Sequence, residues 1–160
     1  MEHQFTTPDS INAVAEFHTT FNHPVLSTPQ IPSAERCKLR VDLIAEELDE
    51  LRQAIADNNI VEVADALADI QYVLAGAVLE FGLADKFKNL FDEVHRSNMS
   101  KSCLNEDEAQ QTVAHYKANH STEAYYLQRG EYYNVYRTGD NKTLKNVNYS
   151  PANLAAIVNS

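Results

Sequence analysis

Two short blocks of carboxylates dominate the chemistry this chain could perform. Glu46, Glu47 and Glu50 stand in Ile-Ala-Glu-Glu-Leu-Asp-Glu-Leu, and Glu62, Asp65 and Asp69 in Val-Glu-Val-Ala-Asp-Ala-Leu-Ala-Asp-Ile, with one short loop between the blocks. At about 100° per residue, Glu47 and Glu50 occupy neighbouring strips of one helix, while Glu62, Asp65 and Asp69 fall within about 60° of one another on the next. Two carboxylates about 5 Å apart repel by on the order of 3 kcal/mol at an effective dielectric near 20. Oxygen-only donors crowded in this way suit a hard divalent cation, Mg²⁺ or Mn²⁺. The competing reading is a pair of solvated helix faces. Against it, Glu47 borders the apolar stripe Ile44, Leu48, Leu51 and Ile55 rather than opposing it, and the second block is set among Ala, Val, Leu and Ile. Glu62, about one turn into its helix, also suits the helix dipole; Asp65 and Asp69 lie deeper.

The elements that must carry these groups are helices. Ser10 is placed to cap a helix to about Phe21, with Ile11, Val14, Phe17 and Phe21 at helical spacing. Pro24, Pro29 and Pro32 impose an extended connector from Asn22 to Pro32. Ser33 caps a long helix to about Ala56, Asp57-Asn58-Asn59 turns the chain, and a helix from about Ile60 to Phe81 stops at Gly82. That helix has a broad apolar face of Val63, Leu67, Ile70, Leu74, Val78 and Phe81, and a further helix runs from about Ala84 to Arg96. Short turns between helices predict a bundle. Beyond Lys101, a polar helix (Glu106 to Asn119) precedes two tyrosine-rich runs around Arg129-Gly130, which read as a hairpin, and the end holds one docked helical turn. The expectation is an all-α bundle of four to five helices with a small C-terminal β-hairpin insertion, organised as a core over 1–101 and an extension over 102–160.

Composition narrows the functions available. With 160 residues and a net charge of −10, the chain predicts one main domain with no general attraction to nucleic acid or anionic lipid. No apolar run is long enough to span a bilayer and no leader is visible, so a cytoplasmic protein is expected. The four glycines, Gly76, Gly82, Gly130 and Gly139, cannot assemble a phosphate-cradling loop. Phosphates, if handled, must be met by metal. Cys37 and Cys103 suggest neither a disulfide framework nor a zinc site.

Three linked blocks resemble the all-α nucleoside-triphosphate pyrophosphohydrolases, the superfamily of MazG-like enzymes, phosphoribosyl-ATP pyrophosphohydrolases and dimeric dUTPases. Glu46-Glu47-Leu48-Asp49-Glu50-Leu51 is similar to that family's E-E-x-x-E-L. Asp65-Ala66-Leu67-Ala68-Asp69-Ile70-Gln71-Tyr72-Val73 resembles its second metal-binding helix, and Glu93-Val94-His95-Arg96-Ser97-Asn98-Met99-Ser100-Lys101 the segment closing its bundle. The resemblance spans roughly Phe17 to Lys101, with a family-like tail from Asp140. One departure stands out: the second block is commonly E-x-x-D, and Ala66 occupies the glutamate position. Asp65 replaces the missing oxygen in one repair; in another, Glu62-Val-Ala-Asp65 is itself the unit.

The resemblance implies Mg²⁺-dependent hydrolysis of a nucleoside triphosphate to the monophosphate and pyrophosphate, with deoxyuridine nucleotides the first expectation. Glu47, Glu50, Asp65 and Asp69 are the metal ligands expected, with Mn²⁺ a substitute for Mg²⁺, and Glu46 is the general base. His95, Arg96, Asn98 and Lys101 are expected to meet the triphosphate and sugar, and Phe21 and Asn22 the base. Apolar residues on more than one helix face, with the resemblance, predict a homodimer or homotetramer. The alternative is a non-catalytic helical module that binds a nucleotide or a protein.

Overall fold

The structure, a computed structural model, describes residues 5–160. Six helices and one two-stranded antiparallel sheet follow in the order α1 (Ser10–Thr20), α2 (Ala34–Ala56), α3 (Ile60–Glu80), α4 (Ala84–Met99), α5 (Glu106–His120), β1 (Ala124–Arg129), β2 (Tyr132–Arg137) and α6 (Leu154–Val158). They form two compact units, Met1–Lys88 and Asn89–Ser160, with the boundary inside α4.

Local chemistry sets the helix ends of the first unit. Asp9, not Ser10, occupies the N-cap position of α1; its carboxylate accepts from the side-chain amide Nδ2 of Asn12 at 2.9 Å rather than from a backbone N–H, and Ser10 is the first helical residue. The Ser33 hydroxyl accepts from the Arg36 N–H and opens α2, while Asn59 accepts from the N–H groups of Val61 and Glu62 and opens α3. After α3 the chain turns at Gly82, whose φ of +66° favours glycine, and a Cβ there would strike the carbonyl of Thr28. The proline connector lies along this end of α3: Leu26 N–H donates to the Leu79 carbonyl at 3.0 Å and Gln30 N–H to that of Phe81 at 3.1 Å. α3 is the central element, packed by both α1 and α2, with Val14, Ala75 and Leu79 as the core between α1 and α3.

Part of the expected core is not covered. Ile44 and Leu51 are half-buried, but Leu48 and Ile55 on α2, and Leu67 and Leu74 on α3, remain exposed. The periodicity identified helices correctly while overstating what one chain buries.

In the second unit, α5 packs on both strands of the hairpin. Cys103, Ala109, Val135 and Leu144 are buried together, with Tyr126 and Tyr133 against them. The register pairs Tyr125 with Tyr136 and Arg129 with Tyr132, leaving Gly130 and Glu131 as the loop, with Gly130 at φ +59°. Tail and α4 are stapled by polar groups: Glu93 accepts from Asn153 N–H at 2.8 Å, and Arg96 donates to Glu93 and to the carbonyls of Ser150 and Pro151. No single helix among the described residues is long and apolar enough to cross a membrane.

Candidate active site

The seam between α2 and α3 can be counted outward from the turn at Asn58. Arg36 bonds Glu80, each twenty-two residues from Asn58, and Arg40 lies against Gly76, each eighteen away. The same count sets Glu47 against Asp69 (eleven), Glu50 against Ala66 (eight) and Ala54 against Glu62 (four). Ala66 and Ala54 are both buried. At 1.5 Å per residue, Glu62 stands about 10 Å nearer the turn than Asp69.

Electrostatics agree with that count. Glu47 is half-buried, and its carboxyl is pushed above the usual carboxylate range first by burial, then by the charges of Glu50, Asp69, Glu46 and Asp65. Glu62 is not among the charges acting on it. Neighbouring acids have partners: Asp42 pairs with Lys38, Asp49 with Arg52, and Glu80 with Arg36 and Arg40. Glu46, Glu47, Glu50, Asp65 and Asp69 have neither an ion pair nor a side-chain hydrogen bond among the described residues. Nor are any three His, Cys, Asp or Glu side chains there gathered as a ready metal shell.

At the end of the seam away from the turn, charge is compensated instead. Glu80 is wholly buried and takes Arg36 and Arg40; Arg36 Nε donates at 3.0 Å. Arg40 Nη2 also meets His18 Nε2 at 3.3 Å, and His18 Nδ1 lies 2.8 Å from the Pro24 carbonyl. A guanidinium can only donate, so Nε2 of His18 accepts and Nδ1 carries the proton that bonds Pro24. This network joins α1, α2, α3 and the connector. Gly76 makes it possible, because a Cβ there would stand 2.5 Å from Arg40 Nη1 and 3.2 Å from His18 Nε2.

Between network and carboxylates opens a cavity of about 340 Å³, lined by Phe17, His18 and His23, by Leu39, Arg40 and Leu43 of α2, and by Tyr72 and Val73 of α3. Phe17 meets Tyr72 edge-on at 5.8 Å and stacks on His23 at 5.8 Å. Leu43 is one turn before Glu47, and Tyr72 and Val73 follow Asp69 by three and four residues, so the cavity adjoins the acidic positions along both helices. A second hollow of about 410 Å³, lined by Pro8, Asp9, Ser10, Leu67 and Gln71, lies against the N-terminal end of α1 and includes none of the seam carboxylates.

Phe21 is 60% exposed and packs at a tilt on Phe17 with ring centroids 4.5 Å apart, and Asn22 takes a left-handed turn at φ +56°. Neither lines the cavity; Phe17, His18, His23 and Tyr72 do. Glu80 between Leu79 and Phe81, a charge inside an apolar run, was the available signal for the buried network. The remaining expected substrate contacts belong to the second unit: Arg96 is engaged by Glu93 and the tail, Lys101 donates to Asn98 Oδ1 at 2.6 Å, and His95 is exposed.

The phosphoribosyl-ATP pyrophosphohydrolase profile matches residues 14–98, more than half the chain, and takes in α2, α3 and every carboxylate of their seam. The chain belongs to that family. This phosphoribosyl-ATP pyrophosphohydrolase family member therefore falls within the MazG-like superfamily, and its activity is pyrophosphohydrolysis in the general sense. It is also similar to an uncharacterized protein, L479, of Acanthamoeba polyphaga mimivirus, at 30% identity over 66% of this chain and 76% of that protein.

Proposed function

We propose that this family member is a Mg²⁺-dependent nucleoside triphosphate pyrophosphohydrolase of the cytoplasm, with a deoxyuridine-type nucleotide as its first substrate. One observation carries the reading: carboxylates on facing helices lack counter-charge while their neighbours on the same helices have it. The donor set is all oxygen, which fits Mg²⁺ or Mn²⁺, and the charge crowding Glu47 is the deficit a divalent cation relieves. Glu47, Glu50, Asp65 and Asp69 are the residues to hold it, rotating inward from where they stand; Glu62, nearer the turn, is left out. When bound, the metal neutralises phosphate charge and stabilises the leaving pyrophosphate.

Glu46, about 100° around α2 from Glu47, is the base in this reading. Its carboxylate takes a proton as water adds to phosphorus; the phosphoanhydride bond breaks and pyrophosphate departs, leaving the monophosphate. Phe17, Phe21 and Tyr72 supply ring faces for the base, with Asn22 beside them. Glu50→Gln removes a ligand charge without changing shape. It is expected to lower pyrophosphate release by at least about 10²-fold, beyond what loss of a single acid–base group commonly costs at the low end, and to weaken Mg²⁺ binding by calorimetry. Wild-type rates in that variant would refute the metal assignment.

A second copy of the chain is proposed to cover the exposed apolar face. Val41, Leu48 and Ile55 on α2 are seven residues apart, as are Ile60, Leu67 and Leu74 on α3, and all six are exposed. Counted from Asn58, the two rows lie within one residue of level, Val41 with Leu74, Leu48 with Leu67 and Ile55 with Ile60. Sevenfold spacing is the mark of a helix-to-helix seam, and two antiparallel rows complement themselves about a two-fold axis. Leu48→Asp should convert a dimer or tetramer to monomer in analytical ultracentrifugation; a wild-type chain monomeric at micromolar concentration would sink this proposal.

A further inference from the structure

The hairpin of the second unit has one strand edge that its own chain leaves unpaired. The segments that extend the sheet both lie beside β2. Tyr133 exchanges backbone bonds with Cys103, Val135 accepts from Leu144, and Arg137 donates to the Lys142 carbonyl. Across the register those three β2 residues face Gln128, Tyr126 and Ala124. Opposed residues of an antiparallel pair turn the same way, so Ala124, Tyr126 and Gln128 aim their N–H and carbonyl groups away from β2. None of these groups has a hydrogen-bond partner among the described residues. Strand edges are commonly blunted by proline or a bulge; the six residues of β1 contain no proline and pair with β2 without a break.

The sequence of the strand indicates what fits that edge. Glu123 continues the register, its carbonyl accepting from the Thr138 N–H at 2.9 Å. Tyr126 and Val135 pack into the buried core, so alternation places Glu123, Tyr125, Leu127 and Arg129 on the opposite face. Arg129 is exposed and has no ion pair among the described residues. The contact of Glu123 with Lys117 is long at 3.5 Å, with side chains 73% and 69% exposed, and holds the carboxylate only weakly. Set a second β1 antiparallel to the first with the two-fold axis at Tyr126. Ala124 of each copy then faces Gln128 of the other, and every outward N–H and carbonyl of both strands is paired. Arg129 faces Glu123 at both ends, and Tyr125 faces Leu127; opposite charges and aromatic–aliphatic pairs directly across strands are stabilising. Moving the axis to Tyr125 or Leu127 strands the outward groups of one residue per copy. The second of these also sets Glu123 against Glu131.

We infer that β1 is a docking edge for β1 of a second copy, paired antiparallel about Tyr126 into a four-stranded sheet. This contact is separate from the apolar rows of α2 and α3. It joins backbone groups over a small area, so it is weak and depends on concentration.

Covalent trapping in the full chain tests it, on a Cys37→Ser background in which the remaining Cys103 is buried. Copies with Tyr125→Cys are mixed with copies with Leu127→Cys and oxidised with glutathione disulfide. The two positions face each other as a non-hydrogen-bonded pair, with Cα atoms about 4.5 Å apart, which a disulfide can bridge. The mixture should give a covalent dimer linked 125 to 127, at roughly fivefold the yield of either variant alone, whose like positions meet only on a diagonal. Arg129→Glu should lower that yield by roughly fivefold, because like charges then face each other at both ends. Adding Glu123→Arg to the same chain should restore it. Both side chains are exposed, and circular dichroism verifies that each variant is folded. Equal yields from the mixture and the single variants overturn the inferred register. No covalent dimer, or a charge reversal that neither lowers nor restores the yield, overturns self-pairing and leaves the edge to another occupant.

Discussion

Replacing Glu80 with Gln tests the buried network that closes the α2–α3 seam. The side chain of Glu80 is 1% exposed, that of Arg40 8% and that of Arg36 29%. Burial by itself would raise the Glu80 carboxyl; the hydrogen bonds and charges of Arg36 and Arg40 outweigh it and hold it below the usual range. Glutamine preserves shape and one carbonyl acceptor but removes the charge and turns an amide donor toward guanidinium donors. Arg36 recovers solvation through its open side, so most of its loss is returned. Arg40 cannot, and is left a buried cation without a counter-ion. Breaking such a pair costs about 3–5 kcal/mol, which at roughly 2–4 °C per kcal/mol for a chain of this size lowers Tm by roughly 6–20 °C. Urea unfolding followed by circular dichroism reads the loss. In a cycle with Arg40→Met, the double variant should lose less than the two single losses together by more than about 1 kcal/mol, because the stranded charge is gone. A Glu80→Gln cost below about 1 kcal/mol, or strict additivity, would refute the argument that this pair holds α2 to α3.

His18 is held neutral, its pKa lowered chiefly by burial, with Arg40 and His23 adding to the shift while the Pro24 hydrogen bond and Glu80 oppose it. Because the unfolded chain binds the proton more readily, the stabilisation is fully present above the ordinary histidine range and is lost as pH falls from about 6.5 through the folded value. Unfolding free energy should drop with a slope of at most about 1.4 kcal/mol per pH unit for this one group, and His18→Asn should flatten that part of the profile; an equal slope in the variant would count against it. Gly82→Ala forces a Cβ against the Thr28 backbone at positive φ, combining about 1–2 kcal/mol of left-handed strain with about 1–3 kcal/mol of overpacking. A destabilisation under 1 kcal/mol in urea would show that the connector yields freely.

Much of this was legible in the residues because the signals were local. Ser33 and Asn59 cap where their side chains reach the following N–H groups, Gly82 stops α3 through its own backbone, and Gly130 sets the hairpin loop. The acidic blocks could be read from helical spacing, since side-chain direction on a helix depends only on residue number. What escaped reading is tertiary. Glu80 inside an apolar run signals a buried charge, but nothing near His18, Arg40 or Gly76 announces that these separated positions share its network. Phe17, Phe21 and Asn22 could be read as base contacts from their place before the prolines, but Tyr72 could not, because it meets Phe17 only once α1 lies on α3. Apolar periodicity at Leu48 and Leu67 identified a face without identifying what covers it.

The two ends of one seam carry opposed electrostatics, and this ties fold to chemistry. Uncompensated carboxylates at Glu47, Glu50, Asp65 and Asp69 push α2 and α3 apart midway along their length, and no counter-charge among the described residues opposes the push there. Seven to eleven residues farther from the turn than Glu47 and Asp69, Arg36 and Arg40 clamp Glu80 and draw the same helices together. The turn, capped by Asn59, fixes the other end. A hairpin pinned at both ends can tolerate repulsion in its middle without a counter-charge beside it. If so, loosening the clamp with Glu80→Gln should weaken Mg²⁺ binding even though Glu80 is not among the ligands proposed, by letting the carboxylates separate. Calorimetry at a temperature where the variant remains folded should show that weakening; unchanged Mg²⁺ affinity would mean that the two ends act independently.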